Sequence, residues 1–243
     1  MIVLRLSNSA DSHASVAELD RSRTLGAAAT HEATGEAVTT IVRGLWPAKH
    51  VPDLIDGWLT EYEPDAVLLW VNPYWFTSVG LPAAQRSRWK LVRLTGKFAK
   101  RVGLKSQLVY QTGKLRRRVL VARQLGKELF EPDEVIAVVE ACVRRILRHE
   151  QVALVVRGPM YPVINAGMES LLPRGEARRL VVHRAVRALC ADVHVPYFGT
   201  EDGIAYRHNH LAHDGIHQNE LAHAEMASEE SGAYISAWRE QHP

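Results

Sequence analysis

Apolar residues along this chain fall into two alternating kinds of run. Short β-branched stretches at residues 1–6 (MIVLRL), 38–43, 66–71, 152–157 and 193–198 predict strands, and their nearly continuous apolar character predicts burial on both faces. Between them, apolar residues recur at helical spacing over 51–62 (VPDLIDGWLTEY), 132–149 and 175–191, the last entered through Pro173-Arg174-Gly175. A final helix is expected after His217. Residues 10–37, rich in Ala, Thr and Ser with weak periodicity, predict a partly helical cover. Strands separated by helices imply a three-layer α/β/α sandwich with a central, mainly parallel five-stranded sheet and right-handed crossovers.

The chain has 243 residues, 47% of them hydrophobic, which is enough to bury one full core, so a single domain over 1–243 is expected. It opens directly on a core-like strand, without a charged leader followed by an apolar stretch and a cleavage site. No apolar run is long enough to cross a bilayer, and a cytoplasmic location is the expectation. Cys142 and Cys190 sit in apolar helical surroundings (VIAVVEACVRRIL and VVHRAVRALCADV), which predicts buried thiols and no disulfide.

Charge changes the picture more. The formal net charge is +3, yet fourteen of the thirty Lys and Arg residues lie between Arg86 and Lys127, and no acid occurs between Asp65 and Glu128. That leaves sixteen basic against twenty-seven acidic residues elsewhere, so the segment carries +14 and the remainder −11. Trp89, Leu91, Val92, Leu94, Phe98 and Val102 suggest one amphipathic helix, and Leu115, Val119, Leu120, Val121 and Leu125 a second. The reading is a basic helical insertion at about 74–130, a lid over the carboxyl ends of the strands. A solvated hairpin is the plainer alternative. Because so long a run of like charge repels itself, an anionic partner is expected, with Arg116, Arg117 and Arg118 as candidate contacts. A phosphorylated or carboxylated substrate, a coenzyme A or phosphopantetheine thioester, an acidic carrier protein and an anionic membrane surface all fit. Nucleic acid is not expected, since no recognisable binding motif accompanies the charge.

Candidate chemistry concentrates near the end of the chain, in His213-Asp214-Gly215-Ile216-His217-Gln218-Asn219-Glu220-Leu221-Ala222-His223. Three residues apart in a tight turn, the Asp214 carboxylate can hold one nitrogen of His217 and leave the other free to take a proton from a nucleophile. A solvated turn is the alternative for so common a spacing. His208, His210, His213 and His223 crowd the same region, but no carboxylate or cysteine at recognised spacing completes a metal site, so neither metal nor cofactor is expected.

The string Asp-Gly-Ile-His-x-Asn-x-x-x-His before a terminal Ala/Met helix resembles the last block of the SGNH (GDSL-type) hydrolases. Other blocks follow in order. The first strand runs into Ser7-Asn8-Ser9, where that family has Gly-Asp-Ser, and the resemblance makes Ser9 the nucleophile, with Ser7 and Ser12 as competitors. A glycine follows the second strand at Gly44. Glu63-Pro64-Asp65 and the apolar run to Val71-Asn72 resemble the family's segment ending in Gly-x-Asn-Asp, with Trp70 and Pro73 replacing its glycine and aspartate. Residues about 74–130 match nothing specific.

The resemblance implies an SGNH/flavodoxin-like fold, a catalytic triad of Ser9, Asp214 and His217, and an oxyanion hole of the Ser9 and Gly44 N–H groups and the Asn72 amide. It implies a serine esterase acting through an acyl-enzyme on a small ester or thioester. An acyltransferase uses the same residues, because only the acceptor that reaches the acyl-enzyme differs. A catalytically silent binding protein on the same fold is the remaining alternative, given Ser7, Asn8, Trp70 and Pro73. Trp58, Trp70, Tyr74, Trp75 and Phe76 are candidates either for an apolar pocket near Asn72 or for core.

Overall fold

A computed structural model describes residues 1–7, 16–45, 47–48, 50–80, 127–164, 169–211 and 218–241. Five strands form one sheet: β1 (Ile2–Ser7), β2 (Thr39–Gly44), β3 (Ala66–Trp70), β6 (Ala153–Arg157) and β7 (Tyr197–Phe198). Their order is β2-β1-β3-β6-β7 and every pairing is parallel. Successive side chains point to opposite faces, so Leu4, Leu6, Val67, Leu69, Leu154 and Val156 enter one core while Val3, Ala66, Leu68 and Val155 enter another.

The first core lies under α2 (Val51–Tyr62), α4 (Pro132–Ile146) and α5 (Leu172–Asp192), which contribute Ile55, Val139 and Val186 among others. On the opposite face, the C-terminal helix α7 (Glu220–Gln241) packs Ala233 and Tyr234 on the sheet, and α1 (Val16–Thr34) lies against α7. Two short helices, α3 (Tyr74–Thr77) and α6 (Gly203–His210), follow β3 and β7. The three layers expected from the sequence are therefore present, and both cysteines are buried and free. No helix among the described residues is long and apolar enough to cross a membrane.

The helix expected over 132–149 ends at Ile146, and two further boundaries differ from expectation. The predicted strand 193–198 shrinks to Tyr197–Phe198, because α5 continues to Asp192 and the next residues close its end. The Val193 N–H donates to the Leu189 carbonyl, His194 takes a left-handed φ of 57°, and the Val195 N–H reaches back to Cys190. The same helix begins earlier than expected, at Leu172, since Pro173 suits a first turn where no N–H partner is required. Gly175 then lies inside the helix, where an added Cβ would meet Ile164 and Pro162 at 3.0 and 3.2 Å.

Beyond α3 a small antiparallel ribbon pairs β4 (Val79–Gly80) with β5 (Lys127–Glu128). Arg174 grips the Glu128 carboxylate at 2.8 Å, and Arg178 donates to the Phe76 and Phe130 carbonyls at 2.7 and 2.8 Å. The ribbon is thereby fastened to α5. The expected basic helices, with Arg116, Arg117 and Arg118, lie outside the described residues.

Candidate active site

Winding from β1 goes one way to β2 and the other way to β3, so the strand order reverses between β1 and β3. In open parallel sheets the crevice outside the carboxyl ends at such a point is where ligands bind. Three of the sequence-predicted segments end there. Gly44 closes β2 and pairs in register with Ser7 at the end of β1. Asn72 follows β3 on the other side of β1. Ser9, Asp214 and His217 lie outside the described residues, although the flanks that deliver them, Ser7 on one side and Leu211 and Gln218 on the other, are described.

Gly44 and Asn72 are the two expected oxyanion-hole residues, besides Ser9, that the structure describes. An added Cβ at Gly44 would meet no described atom within 4 Å. The Asn72 Oδ1 accepts the Tyr74 N–H at 2.9 Å, and the Asn72 carbonyl accepts the Trp75 N–H at 3.2 Å, so the residue turns the chain from β3 toward α3, whose N-cap is Pro73. That contact assigns the amide: the oxygen accepts from the backbone, and the NH2 end is the donor. Of the aromatic residues near Asn72, Trp75 and Phe76 are core and Trp58 packs beside them. Tyr74 lies against a separate cluster of Met160, Tyr161, Val163 and Tyr206.

A buried ionic network, not anticipated from sequence, underlies this end of the sheet. Arg5 on β1, Trp70 on β3 and Arg157 on β6 point to the α7 face. The Arg157 side chain is 0% exposed; its Nη2 donates to the Met226 carbonyl at 3.2 Å and to Glu229 at 2.9 Å, and Glu230 lies 3.4 Å away. Glu230 is shared with Arg5 at 3.5 Å, and the Arg5 guanidinium stands 5.4 Å from the Trp70 ring. Burial, together with Glu225 and Glu230 nearby, pushes the Glu229 carboxyl above the usual carboxylate range against the pull of Arg157. One helix is so tied by charge to the strands that deliver Ser9 and flank Asn72. The signal was an arginine interrupting each of two apolar strands, MIVLRL and ALVVR.

A second network holds the loops that leave β6 and β7. Arg179 is completely buried and grips both oxygens of Glu176 at 2.7 Å. Its remaining hydrogens go to the carbonyls of Pro159 at 2.9 Å, Thr200 at 2.7 Å and Glu201 at 2.7 Å. Gly203 allows this approach, since a Cβ there would fall 2.2 Å from the Arg179 Nε. Beside it, His183 Nδ1 meets the Tyr197 hydroxyl at 2.8 Å while Nε2 faces Glu201 at 3.4 Å. Burial, reinforced by Arg179, lowers the His183 pKa against the opposing pull of Glu201.

Of the histidines near the candidate base, His213 lies outside the described residues. His210 stacks on Tyr206, with ring centroids 4.0 Å apart, and pairs with Glu225 at 3.0 Å, and His223 is buried in α7. Among the described residues no cluster of His, Cys, Asp or Glu is arranged to hold a metal ion.

No protein-family model matches the chain, and no curated protein matches it in sequence at a significant level. Its fold is nevertheless shared with known structures. A protein from Parabacteroides merdae described as a GDSL-like lipase superposes with a TM-score of 0.54 over 97% of this chain and 95% of its own, at 11% identity. A family 3 carbohydrate esterase from Clostridium thermocellum gives 0.52 over 99% and 98%, at 14% identity. Est24, a carbohydrate acetylesterase from Sinorhizobium meliloti, gives 0.51 over 99% of both chains, at 12% identity. The chain has the fold of the SGNH (GDSL-type) hydrolases. At such identities the likeness concerns architecture, and chemistry has to be argued from the residues.

Proposed function

We propose that this protein is a serine-dependent ester hydrolase of the SGNH type. The observation that supports the reading is that Gly44 ends β2 and Asn72 follows β3, at the carboxyl ends of the two strands that flank β1, which itself ends two residues before Ser9. His217 takes the Ser9 hydroxyl proton as the oxygen attacks the acyl carbon, and Asp214 holds the imidazole and stabilises its charged form. The carbonyl oxygen becomes an oxyanion facing the Ser9 and Gly44 N–H groups and the Asn72 NH2. Removing one such donor costs about 2.7–4 kcal/mol of transition-state stabilisation. The alcohol departs with the proton from His217, and water, activated by the same imidazole, releases the acid from Ser9.

The test is turnover of short-chain aryl esters. Ser9→Ala and His217→Ala should each abolish it while leaving the thermal midpoint close to that of the parent, and a fluorophosphonate should label Ser9 alone. Undiminished activity in both variants would refute the assignment, and label at Ser7 or Ser12 would move the nucleophile.

Acyl transfer from an anionic donor is the second reading, supported by the fourteen basic residues without an acid between Arg86 and Lys127. An acyl thioester, free or on an acidic carrier protein, is the donor this charge would attract, and an anionic membrane surface is the alternative partner. The same residues on Ser9, His217 and Asp214 would serve, with an alcohol or amine replacing water as the acceptor.

A further inference from the structure

We infer that Glu201, His183 and Tyr197 form a pH-sensitive switch, in which an exposed carboxylate passes between a buried imidazole and two exposed arginines. His183 of α5 is 1% exposed and meets a different partner at each ring nitrogen. Nδ1 stands 2.8 Å from the Tyr197 hydroxyl on β7, and Nε2 stands 3.4 Å from Glu201 Oε1 on the loop that follows β7. The Tyr197 oxygen is also 3.4 Å from the His183 carbonyl. Backbone closes in on that oxygen from two further sides: an added Cβ would fall 1.8 Å from it at Gly158 and 2.7 Å at Gly199.

This geometry accepts either number of protons on the ring with both side chains left in place. Burial pushes the Tyr197 hydroxyl above its usual range, so it always has one hydrogen to place. On a neutral ring, Tyr197 donates to Nδ1 and the Nε2–H points at Glu201. On a charged ring, Nδ1–H donates to the Tyr197 oxygen, and the hydroxyl hydrogen turns to the His183 carbonyl. What changes is the force on Glu201. Its side chain is 51% exposed and lies 3.2 Å from Arg187 and 3.4 Å from Arg184, which are themselves 61% and 68% exposed. None of these contacts is short. Its main chain, by contrast, is pinned, with the Thr200 and Glu201 carbonyls on Arg179 at 2.7 Å each.

A proton on His183 therefore creates a buried positive charge beside a carboxylate that can still reorient. An ion pair with one partner out of water is screened less than one between two solvated side chains, so Glu201 turns inward and leaves Arg184 and Arg187. The outer surface of α5 becomes more basic as pH falls. Where this happens is set by the groups that face the imidazole: burial and then Arg179 hold its pKa down, Glu201 opposes them, and Arg187 adds to the lowering. Cys190, on the Tyr197 side, is pushed up to about 11 by burial and stays neutral throughout.

The test is side-chain NMR on the full chain from about pH 8 down to about pH 5, the range in which histidine changes charge. The His183 ring is assigned by its Overhauser contact to the Tyr197 ring, whose centroid is 5.5 Å away, so no variant at 183 is needed. His183 should take its proton below about 6.5, the ordinary histidine value. The Glu201 Cδ signal and the Arg184 and Arg187 Nε–H signals should titrate at that same midpoint. Glu201→Gln, an exposed substitution, should lower the His183 midpoint by roughly 0.2–0.7 of a pH unit, the range of a half-exposed ion pair, and leave the two arginine signals flat. Arg187→Gln should raise the midpoint, since it removes a like charge and a competitor for Glu201 together. A His183 midpoint unmoved by Glu201→Gln would overturn the switch, and so would Glu201 and arginine signals that do not follow the imidazole. An imidazole that stays neutral until the chain unfolds would overturn it as well.

Discussion

Replacing Arg179 with alanine should unfasten the wall formed by the loops that leave β6 and β7. The guanidinium uses all of its hydrogen-bonding directions: two toward Glu176 and three toward carbonyls on the loops after β6 and β7. Truncation leaves a largely buried carboxylate without its counter-ion and three carbonyls without a donor. Breaking a buried ion pair from one side costs about 3–5 kcal/mol. Each carbonyl left dry would add about 1–3 kcal/mol, although water entering the vacated volume offsets much of that. Taking only the ion pair, and about 2–4 °C per kcal/mol for a chain of this size, the midpoint should drop by roughly 6–20 °C. Arg179→Lys should recover less than half, since three hydrogens on one nitrogen cannot span Glu176 and two separate loops. Urea titration followed by tryptophan fluorescence measures the loss. A deficit below about 1 kcal/mol for Arg179→Ala, or full stability with lysine, would refute this account of the wall.

Stability should also depend on pH through His183. Its folded pKa lies below the ordinary value, so the unfolded chain binds the proton first as pH falls. The contribution is therefore complete above the unfolded pKa, declines as pH drops through about 6.5, and levels off below the folded pKa. His183→Gln should flatten that part of a plot of midpoint against pH, and an unchanged slope would exclude His183 as the source. The thiols of Cys142 and Cys190, pushed up by burial to about 12 and about 11, should be inert to a thiol reagent at neutral pH in the native protein and react only on unfolding. Reversing Arg116, Arg117 and Arg118 to glutamate should depress kcat/KM for an anionic acyl donor at least tenfold more than for a neutral ester, a difference of about 1.4 kcal/mol. Equal losses on both donors would mean that these residues do not select for charge.

What could be read directly from the sequence was whatever is local in the chain. Five β-branched runs marked five strands, since a strand buried on both faces has to be apolar at consecutive positions. Gly44 and Asn72 were marked by their place in the series of blocks that resembles the family, and the structure has them where β2 and β3 stop. The failure at 193–198 has the same origin: Val193 and Val195 resemble strand residues, but their N–H groups are claimed by the helix that precedes them, and the ladder with β6 starts only at the Pro196 carbonyl and Tyr197. No composition rule distinguishes a valine in a helix cap from one in a ladder.

Contacts across long separations were not legible, and they are what fasten the crevice. Arg157 meets Glu229 seventy-two residues away, and Arg179 meets the Thr200 carbonyl across twenty-one. Read along the chain, each of these charges suggests a solvated face. Only the strand context argues otherwise for Arg5 and Arg157, because a parallel strand covered on both sides has no solvent to offer a guanidinium, and a partner must come from the covering helix. That helix is α7, which begins three residues after His217. The ionic network thus fixes α7 against β1 and β6, the Asn219 side chain joins its first turn to the Asn209 carbonyl of α6, and Arg179 fixes the loop that precedes α6. On the serine-hydrolase reading the base is His217, which falls in sequence between α6 and α7, so substitutions at Arg157 or Arg179 should lower kcat before they unfold the sheet.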